Sequence, residues 1–283
     1  MQLKIWRSFT RELIILKPNN FMNRELSLLM KFTRMLPAIK GAGVFVNRIV
    51  IPFYTRKSRQ MEIVDVKDWK MRVNPHQCID SGLLFYPQLC DNREINYLDK
   101  LIKVDWVIFD IGAHIGFYSL YFASKCNQGR IFSIEADPGN FGHLSFNINL
   151  NTQFKNIQLL NVGVSDKTEI LSLGISTTGN TSGNSFLSKS ATRVDVECRP
   201  LKNIVIDLGI DKIDLIKIDI EGFEFRVFKN YFENTNENLH PKFILLEDNP
   251  TIKQEGNTIE LLKEHGYKMT KDFGLNKLLE KSL

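Results

Sequence analysis

Short apolar runs alternate with segments of helical periodicity from residue 104 to the C-terminus. The runs predict buried strands at Trp106–Ile111, Arg130–Glu135, Ile157–Val162, Leu215–Ile220 and Phe243–Leu246. The periodic segments between and after them predict helices at Phe117–Lys125, Asn140–Asn151, Phe223–Tyr231 and Thr251–His265. Strands that alternate with helices in this way indicate βαβ units and a parallel sheet.

The remaining elements complete the predicted organisation. Two short strands around Asp272–Gly274 form a closing hairpin, and Thr168–Arg199 is a β-like tract. We therefore expect an α/β domain at 104–283, a Rossmann-like fold whose mostly parallel seven-stranded sheet carries an antiparallel edge hairpin. A hairpin and a helix at 61–103 precede this domain, and a basic helical extension occupies residues 1–60.

The extension differs from the rest of the chain in charge. Residues 1–60 contain twelve Lys or Arg and two acidic residues, a net charge of +10, whereas the whole chain has +5. Apolar residues recur there at helical spacing, as at Leu13, Leu16, Leu28, Phe32 and Met35. Basic amphipathic helices dock on anionic membranes, and the same charge also suits a solvated face, so both interpretations stay open. Nucleic acid is not an expected partner, because no recognised binding module accompanies the charge.

The sequence predicts a cytoplasmic protein, at most peripheral to the membrane. The best apolar stretch, Gly41–Tyr54, is too short to span a bilayer and is interrupted by Asn47, Arg48 and Pro52. No signal peptide is recognisable at the start. The four cysteines, at positions 78, 90, 126 and 198, form no CxxC pair, so neither a zinc site nor a disulfide framework is predicted.

A glycine loop follows the first strand of the α/β domain. Asp110-Ile111-Gly112-Ala113-His114-Ile115-Gly116 leads from a buried strand into a helix, at the strand end where open parallel sheets bind ligands. The dinucleotide pattern G-x-G-x-x-G is missing, because His114 and Phe117 stand where its second and third glycines belong. The spacing suits a cofactor without phosphate and with a charged amino-acid tail.

An acidic residue closes the next strand. Glu135 lies 19 residues after Gly116 and is followed by Ala136. The two oxygens of a carboxylate can accept hydrogen bonds from both hydroxyls of a ribose. Together with the glycine loop, Glu135 therefore predicts a nucleoside-containing cofactor.

A second block of the sequence, Ile216–Glu224, carries the pattern Lys-x-Asp-x-Glu-Gly-x-Glu. With Phe109–Gly116 it resembles the FkbM-type methyltransferases, which this pattern marks among class I enzymes. The resemblance covers residues 90–280, and lesser matches are Ser165-Asp166 and Leu245–Glu247. It implies a class I methyltransferase fold, S-adenosylmethionine as cofactor, and O-methylation of a sugar, a glycan or another secondary metabolite.

The cofactor site implied by the motifs and the resemblance is formed by residues after three strands. They are Asp110, Gly112, Ala113, His114, Gly116, Glu135, Ala136 and Asp166. The family frequently has Asn at the position of His114, so no particular role is assigned to this side chain.

Methyl transfer to an alcohol requires help with the acceptor proton. Lys217 and Asp219 share one face of their strand, with Asp219 at its carboxyl end, and Glu221 follows on the turn. These three residues are the predicted catalytic or acceptor-binding group, because neighbouring charges tune one another's proton affinity. The alternative is that the acids are partners of a helix N-terminus.

Several alternatives stay open at this point. One acidic cluster is formed by Glu247-Asp248-Asn249 together with Asp219, and it is similar to the metal-binding acids of catechol O-methyltransferases. A solvated loop is the favoured interpretation of this cluster, so no metal ligand is predicted. The tract Gly174–Arg193 is either a cover over the acceptor pocket or a flexible connection. A cofactor-binding module without catalysis, or a methyltransferase of RNA or protein, is the alternative function, and the oligomeric state is open.

Overall fold

The computed structural model of the protein describes residues 24–35, 42–57, 60–175, 185–187, 190, 192–252 and 255–282. The predicted helical pattern around Leu13 and Leu16 lies outside these residues, as does much of the tract Gly174–Arg193.

The described residues contain twelve strands, and seven of these form the central sheet. In chain order the strands are β1 Glu62–Val66, β2 Trp69–Val73, β3 Val107–Ile111, β4 Arg130–Ile134, β5 Ile157–Leu160, β6 Gly163–Ser165, β7 Glu169–Gly174, β8 Arg193–Pro200, β9 Leu215–Ile218, β10 Phe243–Glu247, β11 Tyr267–Asp272 and β12 Asn276–Lys281. The sheet order is β11-β12-β10-β9-β3-β4-β5, and β12 runs antiparallel to both its neighbours while the other pairs are parallel. The predicted α/β fold with an antiparallel edge hairpin is confirmed.

Helices cover both faces of this sheet. They are α1 Arg24–Met35, α2 Ala42–Phe45, α3 Ile51–Lys57, α4 Cys78–Phe85, α5 Asn92–Leu101, α6 Phe117–Lys125, α7 Pro138–Asn149, α8 Leu201–Asp207, α9 Glu224–Asn234 and α10 Thr258–Glu264. A π-helical turn, Val46–Val50, joins α2 to α3. Among the described helices, none combines the length and the apolar character that a membrane span requires.

Two apolar cores lie on opposite faces of the sheet. Along β3, Ile108 contributes to one core, and Phe109 and Ile111 to the other, because side chains alternate along a strand. The first core also contains Val46 and Leu83 from the N-terminal helices. The elements before residue 104 are therefore packed into one core with the sheet.

The predicted hairpin at 61–73 is confirmed as β1 and β2, and its free edge is held by one asparagine of α7 and one that follows this helix. The amide of Asn147 accepts from the Arg72 N–H at 2.7 Å, and that of Asn151 accepts from the Lys70 N–H at 2.9 Å. Asn151 also donates to the Lys70 carbonyl at 2.7 Å. Side chains thus satisfy backbone groups that an edge strand leaves unpaired.

The β-like character predicted for Thr168–Arg199 is confirmed where this tract is described, and one predicted helix needs correction. The tract Thr168–Arg199 is partly a separate three-stranded sheet, in which β8 lies between β6 and β7. The helix predicted at Thr251–His265 begins only at Thr258, where the Asn257 side chain accepts from the Glu260 N–H and caps it. Helix α4 was not predicted, since Asp80–Phe85 are all buried and leave no polar periodicity.

At β3 the order in which strands are added to the sheet reverses. From β3 the chain continues to β4 on one side, and β9 lies on the other side of β3. In open α/β sheets a crevice forms at the carboxyl ends of the two strands flanking such a point. The glycine loop after β3 and the residues after β9 meet there.

Candidate active site

The glycine loop is held against the ends of both neighbouring strands. The N–H groups of Gly112 and Ala113 donate to the Ile134 carbonyl at 2.9 and 3.0 Å. Gly112 has a φ of +77°, and a Cβ there would lie 1.8 Å from the carbonyl oxygen of Asp219. Only glycine can occupy this position, because both the backbone conformation and the contact exclude a side chain.

We expect Gly112→Ala to destabilise the protein by about 3 kcal/mol or more and to abolish cofactor binding, because strain and a backbone clash combine. Thermal unfolding and calorimetric titration with S-adenosylmethionine would measure both effects. The matched control is Gly142→Ala, at an exposed position in α7 where a Cβ meets nothing within 4 Å. Equal thermal stability and equal cofactor affinity in the two variants would contradict the clash expected at Gly112.

Glu135 is fixed by the backbone at the end of β4. One carboxylate oxygen accepts from the His114 N–H at 2.8 Å, and the other accepts from the Asp137 N–H at 2.9 Å. The residue is 7% exposed, and its burial raises the pKa of the carboxyl to about 7 despite these hydrogen bonds. Each oxygen retains a second acceptor site for a ligand hydroxyl.

A first cleft opens between Glu135 and the end of β9. One wall is apolar, and the other is polar. The apolar wall is formed by Val162, Val164, Leu173 and Phe186, and the polar side by His114, Glu135, Asp219 and Glu221.

The charge of the first cleft selects among cofactors. No Lys or Arg is found among its described lining residues, whereas Glu135, Asp219 and Glu221 contribute carboxyl groups. Burial lowers the pKa of His114 to about 4, so its ring is neutral. A pyrophosphate would therefore meet acids without a balancing cation. S-adenosylmethionine fits, because its sulfonium and ammonium groups give it a net positive charge and its ribose suits Glu135.

A second cleft opens on the opposite side of the glycine loop. Its lining includes Tyr86, Asp91, Tyr118, Lys217, Glu247 and Asn276. Gly112, His114 and Asp219 line both clefts. A ligand in the first cleft and another in the second would therefore approach each other beside Asp219.

A buried charge network lies beneath the point where the clefts meet. The Lys217 ammonium is 3.8 Å from an oxygen of Asp110 and 3.6 Å from one of Asp219, and it donates to the Gly112 carbonyl at 3.3 Å. Burial lowers the pKa of Lys217, but the opposing carboxylates, led by Asp219, raise it overall. Lys217 is thus a permanent cation that links the glycine loop to β9.

Asp219 and Glu247 form a carboxyl pair in the second cleft. The pKa of Glu247 is raised to about 9 by burial first, and also by a hydrogen bond with Asp219 and by the negative charge of Asp219. Glu247 therefore keeps its proton around neutral pH. On the other side of Asp219, burial and the Asp219 charge raise the pKa of Glu221 to about 7.

Glu224 has a structural role in the turn after β9. Its carboxylate accepts from the N–H groups of Ile220 and Gly222, both at 2.9 Å. These bonds stabilise a turn in which Glu221 has a φ of +54°. The Glu221 carbonyl also accepts from the Ser185 hydroxyl at 3.1 Å. The last glutamate of the second sequence block therefore shapes the loop that presents Asp219 and Glu221.

The structure brings together most of the residues predicted for the site. Those that line the first cleft are Gly112, His114, Glu135, Ala136, Asp219 and Glu221, and those that line the second include Ala113 and Lys217. His114 has a φ of +49°, in the left-handed region where Asn and His are enriched. This explains why the family can carry Asn at this position.

Three predicted cofactor residues lie away from the cleft walls. Asp110 is fully buried below the loop and accepts from the Ser119 hydroxyl at 2.6 Å. Gly116 faces Leu144, which a Cβ would approach to 2.7 Å. Asp166 is 3.6 Å from Arg226. Asp110 and Gly116 are thus placed to shape the loop, and their direct contact with a cofactor stays a prediction.

Two functional candidates were not among the predicted site residues. Glu247 was recognised in a loop cluster, but its pairing with Asp219 depends on β9 and β10 being neighbours in the sheet. Phe186 belongs to the tract predicted as a cover over the acceptor pocket or a connection. It lines the first cleft and packs against Phe223, with ring centroids 5.1 Å apart. Among the described residues, no group of three or more His, Cys, Asp or Glu is arranged to hold a metal ion.

Comparisons with known proteins identify the family. Methyltransferase sdnD of Sordaria araneosa is 28% identical over 195 residues, which are 58% of this chain and 74% of that protein. AMB antimetabolite synthetase AmbE of Pseudomonas aeruginosa is 22% identical over 212 residues, and the match covers 60% of this chain but 10% of the synthetase.

Solved structures match the chain at low similarity. A precorrin-6y C5,15-methyltransferase from Geobacter metallireducens has a TM-score of 0.41 at 16% identity, covering 68% of this chain and 89% of that one. The Methanococcus jannaschii fibrillarin pre-rRNA processing protein has a TM-score of 0.42 at 14% identity, covering 78% and 83%. The Methyltransferase FkbM domain matches residues 110–269, and the chain belongs to this family of methyltransferases.

Proposed function

We propose that this methyltransferase transfers the methyl group of S-adenosylmethionine to a hydroxyl group of a sugar, a glycan or another secondary metabolite. The observation that carries the proposal is the meeting of two clefts at Gly112, His114 and Asp219. A cofactor and an acceptor need to be held in line for the displacement, and adjoining clefts provide that alignment.

The first cleft is the proposed cofactor site. Glu135 would hold the ribose hydroxyls, and the apolar wall with Phe186 would cover the base. The carboxyl groups of Asp219 and Glu221 would balance the positive charge. When bound, the cofactor supplies an electrophilic methyl group.

The second cleft is the proposed acceptor site, and its carboxyl pair is the proposed proton acceptor. An alcohol loses its proton as its oxygen takes up the methyl group, and a nearby carboxylate can receive that proton. In the Asp219–Glu247 pair Glu247 holds a proton, so Asp219 is the proposed acceptor of the proton from the alcohol. Lys217 holds Asp219 in place from below.

The acceptor cleft favours an uncharged substrate. Its described lining includes the acids Asp91, Asp219 and Glu247, whereas Lys217 is already shared between Asp110 and Asp219. A phosphate backbone would be repelled by these acids, which speaks against RNA as the acceptor. We assign the reaction to the cytoplasm, in keeping with four free cysteines in the structure.

Two measurements test this function. Calorimetry should detect binding of S-adenosylmethionine, and a methyl-transfer assay should then detect turnover with neutral polyhydroxyl acceptors but not with RNA or protein. Cofactor binding without turnover on any hydroxyl acceptor would favour a non-catalytic module. No binding at all would refute the cofactor assignment. Titration of the active enzyme with a chelator would determine whether a divalent metal contributes.

A further inference from the structure

The N-terminal helices carry an exposed apolar face that the proposed reaction does not use. On α1 the side chains of Leu28, Phe32 and Met35 are 57, 54 and 83% exposed. Their spacing of four and three residues places them on one side of the helix. Large apolar side chains that are exposed together on one side of a helix are the kind of surface that binds a partner or a membrane.

The segment from α2 to α3 continues this pattern. Val46, Val50 and Tyr54 are buried against the first core, while Phe45, Ile49 and Phe53 are exposed. Both sets recur every four residues, so the segment has one face packed on the enzyme and another directed to solvent. We call the exposed side chains of α1 and of this segment the N-terminal face.

The charges around the N-terminal face are mostly positive, although α1 also contains Glu25 and Asp65 lies beside Arg34. Residues 26–61 contain seven Lys or Arg and no Asp or Glu. Of these, Lys31, Arg48 and Arg56 are exposed. Apolar side chains among basic ones match the interface of an anionic bilayer, where hydrocarbon lies below a layer of phosphates.

The N-terminal face is attached to the enzyme by specific contacts. Arg34 on α1 donates to the carbonyls of Leu83 and Leu84 at 2.9 and 2.8 Å. The Tyr86 hydroxyl, which lines the second cleft, donates to Asn47 at 2.6 Å. These contacts place the face beside the enzyme's second cleft.

We propose that the N-terminal face docks on an anionic phospholipid membrane. A second copy of the chain is a poorer occupant, because a symmetric contact would bring the many basic residues of both copies together with few acids to balance them. On a membrane the same residues meet lipid phosphates while Phe32, Phe45, Ile49 and Phe53 enter the apolar layer.

Vesicle co-sedimentation of the full chain tests this proposal. We expect binding to vesicles of phosphatidylcholine mixed with phosphatidylglycerol, little binding to phosphatidylcholine alone, and weakening by salt. The double variant Phe32→Ser/Ile49→Ser should bind at least about tenfold more weakly, because it removes two apolar anchors. The matched control Ile170→Ser removes an isoleucine that is 72% exposed on β7, outside the face, and should bind like wild type.

Three results would overturn the proposal. They are equal binding to both vesicle types, equal binding by the double variant and wild type, and a dimer in light scattering that the double variant converts to a monomer. The last result would make the face a subunit interface. Unchanged thermal unfolding and cofactor affinity in the double variant would show that its fold is intact, and they separate this test from that of the proposed function.

Discussion

Replacing Asp219 by asparagine is expected to lower kcat by about 10²–10⁴-fold, the usual contribution of a positioned general base. Asparagine keeps the size of the side chain but cannot take up the acceptor proton. Lys217 retains Asp110 as its partner at 3.8 Å, so the network beneath the site keeps one of its two ion pairs. Cofactor affinity should therefore change by much less than kcat.

Single-turnover kinetics and calorimetry would separate the two effects of Asp219→Asn. The control is Asp248→Asn, next to Glu247 in sequence but lining a different groove. A further readout is the pKa of Glu247, which should fall from about 9, because Asp219 contributes to its elevation by a hydrogen bond and by charge. A variant with wild-type kcat would show that another group accepts the proton.

Replacing Glu135 by glutamine is expected to weaken S-adenosylmethionine binding by about 100-fold or more. Hydrogen bonds to charged groups contribute about 1.5–3 kcal/mol each, and in the proposed complex two ribose hydroxyls donate such bonds to Glu135. Both oxygens of Glu135 also accept from backbone N–H groups, whereas the amide nitrogen of glutamine would face one of these donors. Titration calorimetry measures the affinity, and the exposed Glu264→Gln provides a control without effect.

Glu135 should also make the stability of the cofactor-free protein depend on pH. Burial raises the pKa of Glu135 from 4.5 to about 7, so the folded state binds a proton that the unfolded state releases. The resulting stabilisation is present below pH 4.5 and is lost as the pH rises through about 7, on the order of 3 kcal/mol. Denaturant unfolding should show a smaller loss over this pH range in Glu135→Gln than in wild type, because Glu221 and Glu247 also have raised pKa values. Cofactor affinity should rise over the same pH range, because the ionised carboxylate accepts both ribose hydroxyls.

Local features of the sequence were enough to predict the cofactor loop. The strand before Gly112, the missing dinucleotide glycines and the distance from Gly116 to Glu135 all lie within short segments. Such segments are constrained by backbone geometry, as the φ of +77° at Gly112 illustrates. The predicted positions of the loop and of Glu135 therefore agree with the structure.

The direction of individual side chains was less predictable. Asp110 stands in the cofactor motif, yet its carboxylate is buried below the loop with Lys217 and Ser119. Lys217 and Asp219 share a strand face as predicted, but the sequence does not reveal which groups that face meets. Those contacts depend on the neighbouring strands, which are far away along the chain.

The sequence by itself determined the α/β class, the glycine loop and the carboxylate after the second strand of the sheet, because these follow from periodicity and short-range spacing. Tertiary structure alone decided that Glu247 pairs with Asp219, since β9 and β10 become neighbours only in the sheet. It also decided that Phe186 lines the first cleft and that Asp219 lines both clefts. Burial and proximity between distant segments set these properties, and neither is encoded by any single stretch of residues.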